Sequence, residues 1–261
     1  MSLMRLLSSS MRQILAHGLA SCAWAVDDLV FPWICLLCGT EGGALHGPFC
    51  ASCRARLLDA AAAAGASVCP RCALPVGPHA DLRRGCAECR GHSLGFDAAL
   101  ALGPYAESIR DLCLRLKHER NAWLAPWLGN LLADARQSEL ARLPRDAWIV
   151  PVPLHWWRWL QRGYNQAEAL AKGLSRSLDL RVRQPLRRIK ATDRLAHKTA
   201  SDRMDAMRQA FRARLDPGLN GRTILLVDDI LTTGATCGAA ARALKQAGAK
   251  RVIVAVLART L

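Results

Sequence analysis

Apolar positions along this chain change character near residue 96. Beyond it, Phe96 to Leu102, Trp148 to Val152, Ile224 to Val227 and Arg251 to Leu257 are largely apolar without strict polar alternation, the pattern of strands covered on both faces. Between and around them, Glu107 to His118, Trp123 to Ala141, Ala167 to Leu178 and an alanine-rich stretch near 235 to 247 read as helices. Strands alternating with helices predict an α/β domain with a mainly parallel sheet over residues 93–261. Ahead of it, Asp59 to Ala66 is an alanine-rich helical spacer, and residues 90–96 form the join. Residues 1–33 contain a moderately apolar run, Ile14 to Val26, behind Arg5 and Arg12. His17, Gly18 and Ser21 break that run, and it is far short of the roughly twenty apolar residues a membrane span needs. It predicts an N-terminal helix rather than a secretory signal or a transmembrane segment.

The segment over 34–92 is defined by cysteine. Eight of the eleven cysteines stand in four CxxC knuckles, Cys35/Cys38, Cys50/Cys53, Cys69/Cys72 and Cys86/Cys89. Two knuckles supply four thiolates to one tetrahedral Zn²⁺, and the gaps of eleven residues (39–49) and thirteen (73–85) are close to zinc-ribbon spacing. Two structural zinc ions follow, with sequential pairing of the knuckles favoured over interleaved pairing. A disulfide framework needs an oxidising compartment, and a thioredoxin-type redox motif normally occurs once beside a βαβ unit. The reduced-thiolate reading therefore carries an expectation of a cytoplasmic protein. Cys22, Cys113 and Cys237 fall outside the knuckles and read as small buried hydrophobes.

The richest chemistry lies in Ile224-Leu225-Leu226-Val227-Asp228-Asp229-Ile230-Leu231-Thr232-Thr233-Gly234-Ala235-Thr236. Here the expected strand ends at two acids, where open parallel sheets bind ligands, and adjacent carboxylates suit vicinal hydroxyls or Mg²⁺. Thr232, Thr233, Gly234, Ala235 and Thr236 then offer hydroxyls, a turn and successive backbone N–H groups at a helix start, a ready anion site. The Gly-Lys-Ser/Thr ending of a Walker loop is absent. The order of strand, acid pair, Thr-Thr-Gly-Ala-Thr and helix resembles the phosphoribosyl pyrophosphate (PRPP) motif of type I phosphoribosyltransferases.

With the four knuckles ahead, with Val150-Pro151-Val152-Pro153-Leu154-His155 and with Arg162-Gly163-Tyr164-Asn165-Gln166 between, nearly the whole chain resembles the ComF/GntX family of ComFC-type competence proteins. That resemblance implies a type I phosphoribosyltransferase-like domain behind a double zinc ribbon, acting on single-stranded DNA in the cytoplasm during DNA uptake, beside DNA-uptake or recombination proteins. Its ligand would be PRPP, with Mg²⁺, or a nucleotide. Asp228 and Asp229 would serve the ribose. Arg162 would pair with phosphate oxygens, Gly163 would admit close backbone approach beside Tyr164, and Asn165 and Gln166 would donate side-chain N–H groups near a helix's positive end. Lys117 matches a recurring family lysine. The alternative is a catalytically active phosphoribosyltransferase with an unknown acceptor base.

Charge sharpens the picture. Of a formal net charge of +15, residues 181–214 hold +8, from eleven Arg or Lys against three Asp. That concentration, placed where related enzymes carry a hood over PRPP, suits a polyanion or a pyrophosphate-bearing ligand. Arg187, Arg188, Lys190 and Arg203 are its nucleic-acid candidates, and Trp156 and Trp157, interleaved with His155 and Arg158, either stack bases or pack the core. The hood departs from the family pattern at Leu195, where Gln is common, and at Ala206, where Asn is common. Thr232 occupies the position where 6-oxopurine enzymes place an aspartate, and a threonine is no general acid or base near neutral pH.

Overall fold

The structure, a computed structural model, describes residues 34–41, 47–65, 67–77, 79–83, 85–154, 156–189 and 210–260. The expected N-terminal helix over 1–33 and the hood residues 190–209 lie outside them. The chain divides into two compact units, residues 1–56 and 57–261.

In the larger unit the apolar runs become strands of one parallel sheet. They are β1 (Ala98–Pro104), β2 (Trp148–Pro151), β3 (Arg181–Val182), β6 (Thr223–Leu231) and β7 (Arg251–Arg259), arranged β1-β7-β6-β2-β3 with every pairing parallel. Two short strands, β4 (Leu186–Arg188) and β5 (Phe211–Ala213), pair antiparallel apart from that sheet. Because β6 is central, Ile224 to Val227 are fully buried, as continuous apolar character requires. The pleat divides them. Ile224 and Leu226 join Val252, Val254 and Val256 in a cluster with Ala239, Ala240 and Leu244 of helix α7 (Ala235–Gln246). Leu225 and Val227 face away from that cluster.

The other helices are α1 (Ala51–Gly65), α2 (Glu107–Arg115), α3 (Leu124–Ala135), α4 (Gln137–Leu140), α5 (Trp156–Arg162) and α6 (Gln166–Leu178). The single helix expected over 123–141 is interrupted at Arg136, whose φ of −120° is not helical. Arg136 is buried there, its Nε donating to the Ala101 carbonyl at 2.7 Å and a terminal nitrogen to Leu102 at 3.3 Å, so it ties the end of α3 to β1. The spacer helix likewise begins earlier than expected, at Ala51, directly inside the second knuckle.

Each ribbon starts with the same tight turn. In the first, the Cys35 N–H donates to Thr40 O and the Gly39 N–H to Cys35 O, both at 2.9 Å, and Ile34 bridges Glu41. In the second, the Cys69 N–H donates to Leu74 O at 2.9 Å and the Ala73 N–H to Cys69 O at 2.8 Å, and Val68 bridges Pro75. The second ribbon belongs to the same compact unit as the sheet.

Candidate functional site

Strand order alone locates a crevice. After β2 the chain moves outward to β3, whereas after β6 it moves the other way to β7, so β2 and β6 are neighbours whose outgoing loops diverge. Ligands of open parallel sheets bind at such a switch point, beyond the carboxyl ends of the strands. The loops that meet there are Val152 to Asn165 and Thr232 to Gly234, the two stretches that the sequence singles out.

The acids are not equivalent. Strand β6 does not stop at them; it runs through Asp228 and Asp229 to Leu231, which pairs with Arg259 of β7. In a continuing strand successive side chains point to opposite faces. Asp228 therefore follows Ile224 and Leu226 toward α7, where the buried Cys237 thiol donates to its Oδ2 at 3.7 Å while its Oδ1 accepts from the Asp229 N–H at 2.9 Å. Burial first, then the neighbouring Asp229 charge, hold the Asp228 carboxyl well above the usual carboxylate range. Cys237 is pushed up by the same burial and by Asp228. Asp229 accepts from the Ile230 N–H at 2.8 Å, and its charge is felt on Cys113 of α2 and on Tyr164.

The Arg162 to Gln166 element straddles two helices rather than opening one. Arg162 ends α5, Gly163 turns with φ of +71°, and Asn165 caps α6 with its Oδ1 accepting from the Ala167 N–H at 3.1 Å. The Asn165 amide group donates to the Val152 carbonyl at 3.1 Å, which clips the start of α6 to the end of β2. A Cβ at residue 163 would meet only the end of the flexible Glu119 side chain, which can move aside, so it is the left-handed conformation that calls for glycine. The Tyr164 hydroxyl donates to the Leu116 carbonyl at the end of α2, beside Lys117. Burial pushes the Tyr164 phenol up to about 12, against the Arg162 charge and with that of Asp229, and burial and Asp229 push the Cys113 thiol to about 12 against Lys117. Arg162, Tyr164, Lys117 and Asp229 thus act on one small region. Gln166 is buried, and its Nε2 has no hydrogen-bond partner among the described residues.

The phosphate-loop candidates leave β6 at its end. Thr232 and Thr233 are exposed, Gly234 (φ +78°) sits at the N-cap of α7, and the Thr233 hydroxyl accepts weakly from the Ala235 N–H at 3.4 Å. Sequence reasoning passed over Arg259, the last residue of β7. Its Nη1 donates to the carbonyls of Leu231 at 3.1 Å, Thr232 and Thr260, and its Nε donates to the Cys72 carbonyl at 2.9 Å. The one available signal was an arginine closing an otherwise apolar strand at the edge where the acids emerge.

Both cysteine groups assemble in sequential pairing, Cys35/Cys38/Cys50/Cys53 and Cys69/Cys72/Cys86/Cys89, with the four sulfurs of each within 4.8 Å of one another. Zn–S bonds of about 2.3 Å put tetrahedral sulfurs about 3.8 Å apart. The observed separations are 3.6 Å for Cys69–Cys89 and Cys72–Cys86, and 3.7 Å for Cys86–Cys89 and Cys38–Cys50. Those distances fit structural zinc and are far too long for disulfides. Donors also point at sulfur: Arg56 at Cys53 (2.9 Å), and the Cys86 N–H at Cys69 (3.4 Å). The Ser52 hydroxyl and the Cys53 N–H draw the Cys50 thiol down to about 6, whereas burial pushes the Cys53 thiol up to about 11.

The described part of the basic region is the β4–β5 hairpin. Arg187 and Arg212 are direct cross-strand partners and both are exposed, as are Arg181, Arg183 and Arg214 nearby in sequence. No carboxylate of the described residues pairs with these five. Arg188 instead lies half-buried, its guanidinium 5.6 Å from the centre of the Phe211 ring. Lys190 and Arg203 lie outside the described residues. Trp156 and Trp157 fall in α5, where Trp159 is 52% exposed, and Trp123 and Trp127, one turn apart at the start of α3, are 45% and 40% exposed. Among the described residues, no helix is long and apolar enough to cross a membrane.

Comparison with known proteins agrees with this anatomy. The phosphoribosyl transferase domain family matches residues 163–261 and the double zinc ribbon domain family residues 26–90. The chain is similar to DNA utilization protein YhgH of Escherichia coli K12, at 32% identity over 89% of this chain and 100% of that protein. It is also similar to competence protein F of Haemophilus influenzae, at 32% identity over 67% of this chain and 78% of that one. Competence protein ComFC of Bacillus subtilis is 28% identical over 76% of this chain and 78% of its own length.

Proposed function

The chain belongs to the ComF family, and from that premise we propose that its phosphoribosyltransferase-like domain binds PRPP or a nucleotide phosphate while the protein handles single-stranded DNA for utilization or uptake. The observation that carries this reading is the switch point between β2 and β6. There the arginine-bearing turn Arg162 to Asn165, Lys117 and the half-buried Asp229 converge on the same sheet edge as the Thr232 to Thr236 loop. An anion would take the backbone N–H groups at the start of α7 and the guanidinium of Arg162. Asp229 would face the ribose or a Mg²⁺ ion brought with PRPP, since its oxygen donors with the threonine hydroxyls are the kind Mg²⁺ accepts. Asp228, turned toward Cys237, would hold the strand end in shape instead of touching ligand.

Single-stranded DNA would run along the exposed arginines of the β4–β5 hairpin, with exposed indoles such as Trp123, Trp127 and Trp159 available for base stacking. Zinc thiolates that must stay reduced favour work in the cytoplasm. The test is calorimetry with PRPP and Mg²⁺ on the wild-type protein and on Asp229→Ala, together with competition by a single-stranded oligonucleotide. Binding lost in Asp229→Ala but kept in Asp228→Asn is expected; equal binding by all three proteins would remove the site. Pyrophosphate release on adding a panel of bases would instead establish transferase activity.

A further inference from the structure

Four hydrogen bonds leave the guanidinium of Arg259, and every one goes to a main-chain carbonyl. Three of these carbonyls, those of Leu231, Thr232 and Thr260, lie at the strand ends that launch the phosphate loop, and the fourth belongs to Cys72, a ligand position of the second cysteine tetrad. The ribbon and the loop approach each other around this bridge. A cleft of about 230 Å³ opens between them, with Cys72, Glu88, Phe96, Thr233, Gly234 and Arg259 in its wall. Arg259 spans that gap with hydrogen bonds to both sides, so a shift at either end is passed through the arginine.

The far anchor of the bridge depends on metal. Cys72 ends the turn Cys69 to Cys72, whose shape is set by the Cys69–Leu74 and Cys69–Ala73 hydrogen bonds and by four sulfurs drawn to one centre. Ribbons of this size draw their folding energy from the metal. With the tetrad filled, the Cys72 carbonyl is a fixed point, and Arg259 holds the Leu231 and Thr232 carbonyls at the start of the loop. With it empty, four like-charged or protonated sulfurs have no reason to stay within contact distance, and the anchor moves.

We propose that Arg259 is a positioning residue that makes anion binding at the Thr232 to Thr236 loop depend on zinc occupancy of the second tetrad, Cys69/Cys72/Cys86/Cys89. The dependence on ligand rests on the reading of that loop as a phosphate site; the mechanical coupling does not. It is tested first on the protein without ligand, by amide hydrogen exchange in peptides spanning 231–238. Arg259→Gln should retain two zinc ions by metal analysis yet exchange about ten-fold faster in the loop, the equilibrium factor one charge-assisted hydrogen bond supplies. Cys86→Ser, lacking the second zinc, should show the same acceleration, with peptides of β6 over 224–227 still protected as proof of fold. The double variant should be no faster than either single variant, because both break one chain of contacts. Unchanged loop exchange in Arg259→Gln, or effects that add in the double variant, would overturn the coupling. PRPP calorimetry on the same proteins is the second arm: weaker binding in both single variants is expected. Should wild-type protein not bind PRPP at all, the phosphate-site reading fails while the exchange data still decide the coupling.

Discussion

Arg187 and Arg212 stand opposite each other on the β4–β5 hairpin, exposed and without a carboxylate partner among the described residues. Like charges directly across a ladder cost about 0.2 to 1 kcal/mol relative to a neutral pair. A folded protein keeps such a pair at a cost in stability, which a bound polyanion would reverse. Replacing both with Gln therefore has two effects of opposite sign. Stability should rise, by about 1 to 3 °C in melting temperature for a unit of this size. Affinity for single-stranded DNA should fall, and its salt slope should drop by about 1.4, since each phosphate neutralised contributes about 0.7. Over the range from 50 to 200 mM salt, that slope change shrinks the wild-type advantage about seven-fold. Fluorescence anisotropy with a labelled oligonucleotide across that salt range, beside thermal melts, reads both effects. Arg188→Gln is the contrast: Arg188 lies over the Phe211 ring, so its loss should lower stability through packing. A double variant with unaltered salt slope, or one that binds less only because it melts earlier, would refute the hairpin as a phosphate track.

Asp228 yields a pH signature. Its folded pKa is raised, so its contribution to stability is complete below the ordinary value of 3.8 and falls as pH rises above it, until the folded carboxyl itself ionises. One proton limits that fall to about 1.4 kcal/mol per pH unit. Asp228→Asn should flatten the profile and gain stability at neutral pH in urea titrations; a steeper profile would contradict the burial. Reduced, freshly purified protein should carry two zinc ions per chain, and Cys50→Ser should release one of them, as measured by metal analysis. Gly163→Ala should cost about 1 to 2 kcal/mol for its left-handed backbone alone. Glu119→Ala should not restore that loss, because the Glu119 side chain can move aside and the cost lies in the backbone conformation.

What the sequence determined by itself was whatever short-range chemistry encodes. Two cysteines three residues apart at the ends of a tight turn are nearly sufficient for a metal knuckle, and four such pairs announced two metal sites, whereas which knuckles pair was decided by the folded chain. An unbroken apolar run announces a central parallel strand, because only a strand buried on both faces can dispense with polar alternation. Thus β2, β6 and β7 were legible, as was the loop after β6. What spacing could not decide was every relation that depends on where a strand stops and what lies across from it. Asp228 and Asp229 look like a pair in sequence, yet because β6 continues past them the pleat sends one toward Cys237 and the other toward Tyr164. Arg187 and Arg212, twenty-five positions apart, became neighbours only through the register of the hairpin. Arg259 was one basic residue among 36 until the parallel pairing of β6 with β7 set it beside Leu231 and the second ribbon supplied the Cys72 carbonyl. Ligand spacing and burial patterns are local properties of the chain, whereas facing, register and reach are set only when distant segments pack, and in this protein the chemistry of the acids and of Arg259 is of the second kind.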